Sequence, residues 1–152
     1  LSVMAAGIDY YPPWSFYFKV EFTNISKNKN DVRFQAVSGL TVEYDIEEYK
    51  EGGENRFTHK LPVRTKYADL VLKRGMLIDS EVTNWCLRAF RDREFKPADL
   101  SITLMNEKSE PLRVWNVTHA IPKKWTVSDL NANDNSVVIE TLELIYQYFT
   151  VK

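Results

Sequence analysis

A chain of 152 residues with 20 lysines and arginines against 21 aspartates and glutamates has the length of one domain. Its formal net charge of −1 gives it no basic excess with which to hold nucleic acid or a membrane surface. One cysteine and two histidines exclude an intrachain disulfide framework and leave little material for a zinc site. Aromatics reach 13% while only 5 glycines occur, which describes a well-packed β domain with spare aromatic surface rather than a disordered chain.

The opening Leu1-Ser2-Val3-Met4-Ala5-Ala6-Gly7 has no basic region and no run long enough for a signal peptide or transmembrane helix, so a soluble protein made in the cytoplasm is expected. Residues 14–23 alternate, with Trp14, Phe16, Phe18, Val20 and Phe22 on one face and Ser15, Tyr17, Lys19, Glu21 and Thr23 on the other. That is a half-buried strand. Asn24 to Asp31 reads as a polar turn. A second strand region runs from Arg33 to Tyr49, bent near Ser38-Gly39. The chain turns at Gly52-Gly53 and returns from Arg56 to Leu61, which predicts a long hairpin over about 41–61.

Tyr67 to Lys73 reads as another strand, closed by Gly75. A helix is predicted over about 80–90, capped by Asp79 or Ser80. Val82, Trp85, Cys86, Ala89 and Phe90 form its apolar stripe, and Pro97 follows its end. Leu100–Met105 and Leu112–Thr118 form a hairpin across Asn106–Glu110, Lys124–Val127 one more short strand, and Val137–Val151 a single long strand that is apolar on both faces. Strands this numerous beside one helix predict a mainly β class. The expected architecture is a single domain over 1–152, an antiparallel sandwich or barrel-like fold with one packed helix.

Chemistry is hard to find in this pattern. His59 and His119 lie far apart in strand surroundings, and no motif supplies either with an acid and a nucleophile. Cys86 sits on the helix stripe and reads as a buried, inert thiol. The acids of the hairpin lack the glycine-punctuated spacing of a calcium loop, Gly52-Gly53 is too short to cradle phosphate, and the aromatics lack a basic groove for stacked bases. Asn116-Val117-Thr118 matches a glycosylation triplet without a secretory signal. No catalytic, cofactor or metal residue is assigned.

Charge order stands out instead. Glu43, Asp45, Glu47, Glu48, Glu51 and Glu54 face one base, Lys50, and are followed by Arg56, Lys60, Arg64, Lys66, Lys73 and Arg74 with one acid, Asp69. Cross-strand ion pairs within the hairpin are one reading. The other is that acidic and basic patches meet on neighbouring copies, as in a heterologous ring or filament contact. A long C-terminal strand that is apolar on both faces also favours assembly, because a small monomer cannot cover both.

The same residues carry a family resemblance. Phe18-Lys19-Val20-Glu21-Phe22, Phe34-Gln35-Ala36-Val37-Ser38-Gly39-Leu40, the acidic strand ending Glu51-Gly52-Gly53 and His59-Lys60-Leu61-Pro62 resemble the inner tube protein of contractile phage tails and phage-tail-like injection particles. So do Leu70–Gly75, Trp85-Cys86, Trp115-Asn116-Val117, Ala120–Trp125, Asp129–Ala132 and Ile139–Leu144, in order along residues 12–151. The resemblance implies hexameric rings stacked into a rigid tube inside a contractile sheath, driven through a target envelope when the sheath contracts. It implies sheath, baseplate or tube-initiating proteins and a tape-measure protein or cargo as partners, assembly in the bacterial cytoplasm, and no catalysis. It places the hairpin Thr41–Leu61 against the adjacent ring and the helix Ser80–Phe90 toward the outside. A type VI secretion-like ring protein, a tube-initiating baseplate protein and a monomeric ligand-binding β-barrel are the alternatives.

Overall fold

The computed structural model describes residues 17–25, 29–49, 59–132 and 137–152. Trp14 and Phe16 of the first expected strand, the Gly52-Gly53 tip, and Glu51, Glu54 and Arg56 lie outside the described residues.

Strand β1, Tyr17–Phe22, turns Val20 and Phe22 into the core and leaves Glu21 exposed, as its alternation requires. The region expected as one bent strand divides into three: β2 (Arg33–Phe34), β3 (Ala36–Ser38) and β4 (Val42–Tyr49). The second break falls at Gly39, whose φ of +90° suits only glycine. Strand β5, His59–Tyr67, is longer than the expected return arm, so Tyr67 closes the hairpin instead of opening the next strand. That next strand, β6, is Leu70–Gly75.

Helix α1, Glu81–Arg91, has Ser80 as its cap, the Ser80 Oγ accepting from the Thr83 amide at 3.0 Å. Val82, Trp85, Cys86 and Ala89 are buried as expected. Phe90 is not, being 45% exposed: it lies one residue past Ala89, about 100° round the helix, beyond the narrow seam that packs.

Strand β7 (Ala98–Met105) pairs with β8 (Pro111–Val127), which joins the two separate strands expected at 112–118 and 124–127 into one of 17 residues. The C-terminal strand is not continuous. It forms β9 (Ile139–Ile145) and β10 (Tyr148–Val151), both antiparallel to β8. The break has a cause on the opposing strand. His119 of β8 holds φ 55°, and the β7–β8 register slips between Ala98 and Leu100. A bulge with a left-handed residue bends β8, and the strand beside it breaks at the bend.

The ladder runs β2-β1-β7-β8-β9-β6-β3. Its two ends, β2 and β3, are neighbours in sequence, separated by Gln35 alone, and the Gln35 amide donates to the Lys73 carbonyl of β6 at 2.8 Å. The sheet therefore closes on itself as a barrel through the segment Arg33–Ser38. Inside lie Val20, Phe22, Phe34, Leu70, Leu72, Leu100, Ile102, Val117, Leu142 and Leu144, with Val82, Trp85 and Cys86 of the helix packed onto them. Strands β4 and β5 stand apart as a two-stranded sheet of their own. The expected mainly β, barrel-like fold with one packed helix and a separate long hairpin is the observed one.

Candidate assembly surfaces

The hairpin sorts the charge-ordered residues. Its register sets Glu43 opposite Lys66, Asp45 opposite Arg64 and Glu48 opposite Lys60, where Nζ and Oε1 stand 3.9 Å apart. Three of the four described acids on β4 therefore stand opposite a base on their own hairpin, with Glu48 alone within ion-pair reach, and Glu47 faces Leu61. What the ladder leaves without cover is apolar. Val42, Tyr44 and Ile46 alternate with the acids along β4; Tyr44 is 61% and Ile46 53% exposed, and Val63 on β5 is 52% exposed. No third strand among the described residues pairs with either arm. A lone two-stranded ribbon is marginally stable in water, and an exposed apolar row along it marks a contact surface.

Two of the basic residues expected at this surface are elsewhere. Lys73 is exposed on the barrel wall, opposite Thr141 and Ala36. Arg74 is no surface residue at all, being 2% exposed. Its Nε donates to Glu140 Oε2 at 3.0 Å, one terminal nitrogen donates to both the side chain and the carbonyl of Asp31 at 2.8 Å, and the other donates to Ser80 Oγ at 2.6 Å. The guanidinium also lies 4.6 Å over the Phe34 ring. Asp31 accepts in addition from the amides of Glu81 and Val82, which places a carboxylate at the positive end of α1. Glu140 accepts from Thr83 and, at 2.7 Å, from the Trp125 indole. The cluster ties the segment before β2 to β6, β9 and the helix start. Every buried polar side-chain atom among the described residues has a partner.

Sequence reasoning missed this cluster, although its signal was present. Arg74 shares the parity of Leu70 and Leu72, and Glu140 that of Leu142 and Leu144. Period two pointed both charges inward, and their register makes them direct partners.

The remaining candidates form no catalytic group. His119 is exposed, and its backbone amide donates to Asp99 Oδ1 at 2.9 Å. It lines a cleft of about 480 Å³ with Trp85, Arg88, Lys96 and Asp99. The side chain of His59 lies outside the described residues. Cys86 is buried, and burial pushes its thiol up to about 12, with the Glu140 charge adding to the rise and Arg74 opposing it. Such a thiol is not a nucleophile at neutral pH. Among the described residues, no three His, Cys, Asp or Glu side chains are placed to hold a metal ion, and no helix is long and apolar enough to cross a membrane.

Residues 14–150 match the family model of the T4-like virus tail tube protein gp19. The chain belongs to this tail tube family. No curated protein sequence matches it. Among solved structures, a chain of the anti-feeding prophage baseplate, determined by cryo-EM with 6-fold symmetrisation, is 34% identical. The match covers 98% of this chain and 97% of that one, at a TM-score of 0.78. A chain of the PVC extracellular contractile injection system, in its extended sheath–tube complex, is 24% identical over 97% of this chain and 94% of that one, at a TM-score of 0.72. A type six secretion system protein shares the fold at 12% identity, covering 90% of this chain and 82% of that one with a TM-score of 0.62. The tail tube protein is a structural subunit, a component of a phage tail or phage-tail-like particle.

Proposed function

We propose that copies of this tail tube protein form six-membered rings that stack into the hollow inner tube of a contractile injection particle. The single observation carrying the reading is the β4–β5 hairpin, a ribbon that pairs with no other described strand and bears Val42, Tyr44, Ile46 and Val63 in solvent. Its charges are largely matched across its own ladder, so the apolar row, rather than charge alone, is the surface that meets a neighbouring ring. This shifts weight away from an acid-to-base contact between rings. Those contacts would set register and partner choice while apolar burial supplies affinity.

Strand β10 pairs with β8 on one side and with no other described strand. A neighbour added there would extend the sheet round a ring, and backbone hydrogen bonds would give the wall its stiffness. A sheath protein outside, baseplate proteins at one end and a tape-measure protein or cargo in the lumen complete the assembly. The chain itself carries out no reaction, and its work is mechanical.

One observation favours a second reading, a place in the first ring beside the baseplate. The identity is 34% to a chain of a baseplate structure and 24% to one of a sheath–tube complex. Negative-stain electron microscopy of the purified protein tests the main reading. Hollow tubes or six-fold rings are expected, and monodisperse monomer at high concentration would overturn it.

A further inference from the structure

The hairpin joins the barrel through two short segments, Gly39–Thr41 leading out and Ala68–Asp69 leading back, and their geometry is over-determined. A Cβ at Gly39 would stand 1.8 Å from the Asp69 backbone oxygen, so only glycine lets the two segments lie this close. The Gly39 carbonyl accepts from the Thr41 amide at 2.8 Å and from the Tyr146 hydroxyl at 3.3 Å, and the Thr41 carbonyl accepts from the Ala68 amide at 3.2 Å. Tyr67, the last residue of β5, meets the Tyr146 and Phe149 rings edge-on at 5.8 and 5.2 Å, and those two rings are 6.2 Å apart. Asp69 is also ion-paired with Lys123 of β8.

These anchors come from the far end of the chain, Tyr146 standing 107 positions from Gly39. Tyr146 occupies the break between β9 and β10, where a ring freed from the ladder can turn toward the root of the hairpin. Burial pushes its hydroxyl up to about 12, with Tyr67 and Asp69 adding to the rise, so it stays a donor at neutral pH.

We propose that the Tyr67–Tyr146–Phe149 cluster, closed by the bond from Tyr146 to the Gly39 carbonyl, is a clamp that sets the direction of the hairpin in the single subunit before another copy is met. The inference rests on the reading that the hairpin is the contact between copies. An arm held by two short segments and paired with no other described strand would swing about its root. Each copy would then lose that freedom on joining, and presetting the angle removes the loss. Identical angles on all copies are also what regular stacking of one ring on the next requires.

The test is a pair of spin labels, one at Glu47→Cys on β4 and one at Thr126→Cys on β8, in the full chain diluted with unlabelled protein. Cys86 is buried and stays unlabelled. The parent should give a narrow distance distribution. Tyr146→Ala should broaden it about twofold, as expected when a local structural unit opens, and Tyr146→Phe, which lacks only the hydroxyl, should fall between. Should Tyr146→Ala fail to fold, Tyr146→Phe and Phe149→Leu carry the same comparison, with melting curves to show an intact barrel. Equal widths in parent and folded variants would overturn the clamp. Broadened widths with tubes growing at the parental rate would keep the clamp and remove the hairpin as the inter-copy contact, so the two failures are distinguishable.

Discussion

Arg64 and Arg74 stand in the same basic stretch, and the fold puts them to opposite uses. Arg64 lies on the exposed hairpin opposite Asp45. Arg74 is sealed in the barrel between Asp31 and Glu140, under the start of the helix. One belongs to an arm with almost no interior, the other to a buried, fully hydrogen-bonded polar cluster of the body. A count of charges along the chain cannot separate them. The company each keeps at period two can: Arg74 alternates in phase with Leu70 and Leu72, Arg64 in phase with Lys66.

The largest effect that would sharpen this contrast comes from Arg74. Arg74→Met removes the cation shared by two buried carboxylates and is expected to destabilise the fold by about 3–5 kcal/mol. Urea unfolding followed by tryptophan fluorescence reads the loss, and a midpoint equal to the parent's would break the contrast.

A second effect is set by the thiol beside that cluster. The Cys86 pKa rises from 9.0 to about 12 in the folded chain, so the unfolded chain releases its proton first. The resulting stability is complete below pH 9 and is lost as pH climbs toward 12. Unfolding midpoints should fall over that window, and should fall less in Cys86→Ala. Parallel curves for the two proteins would mean that the thiol does not feel its burial.

The smallest effect belongs to the arm. Arg64→Met removes an exposed partner and should move the urea midpoint by no more than about 0.5 kcal/mol of stability. A loss comparable to that of Arg74→Met would show that the hairpin is part of the core.

Much of the body was legible in the residues. Alternation placed Val20 and Phe22 inside, Ser80 capped the helix, and the resemblance carried by ordered short motifs named the family. Three features were not. The union of two strands into β8 depends on a bend at His119, and a left-handed histidine leaves no mark in hydropathy. The break at Tyr146-Gln147 was hidden because both flanking stretches run beside the same strand and are equally apolar. The buried cluster was only half legible: Arg74 and Glu140 each keep the parity of buried leucines and pair directly, but Asp31 comes from a separate part of the chain, and only closure of the barrel brings it to them. On the hairpin, the alternation of acids with Val42, Tyr44 and Ile46 was visible, yet the acids drew attention to charge. The register answers most of those acids within the hairpin and leaves the apolar row unanswered.

That row is where the account is most exposed to test. Tyr44→Ser with Ile46→Ser changes two solvent-facing side chains and touches neither the barrel core nor the root of the hairpin. Purified parent and double variant, compared by negative-stain electron microscopy and by thermal melting, measure assembly and folding separately. The account predicts tubes or rings from the parent, dispersed subunits from the variant, and melting temperatures that agree once both are unassembled. Tubes of normal length from the double variant would contradict it.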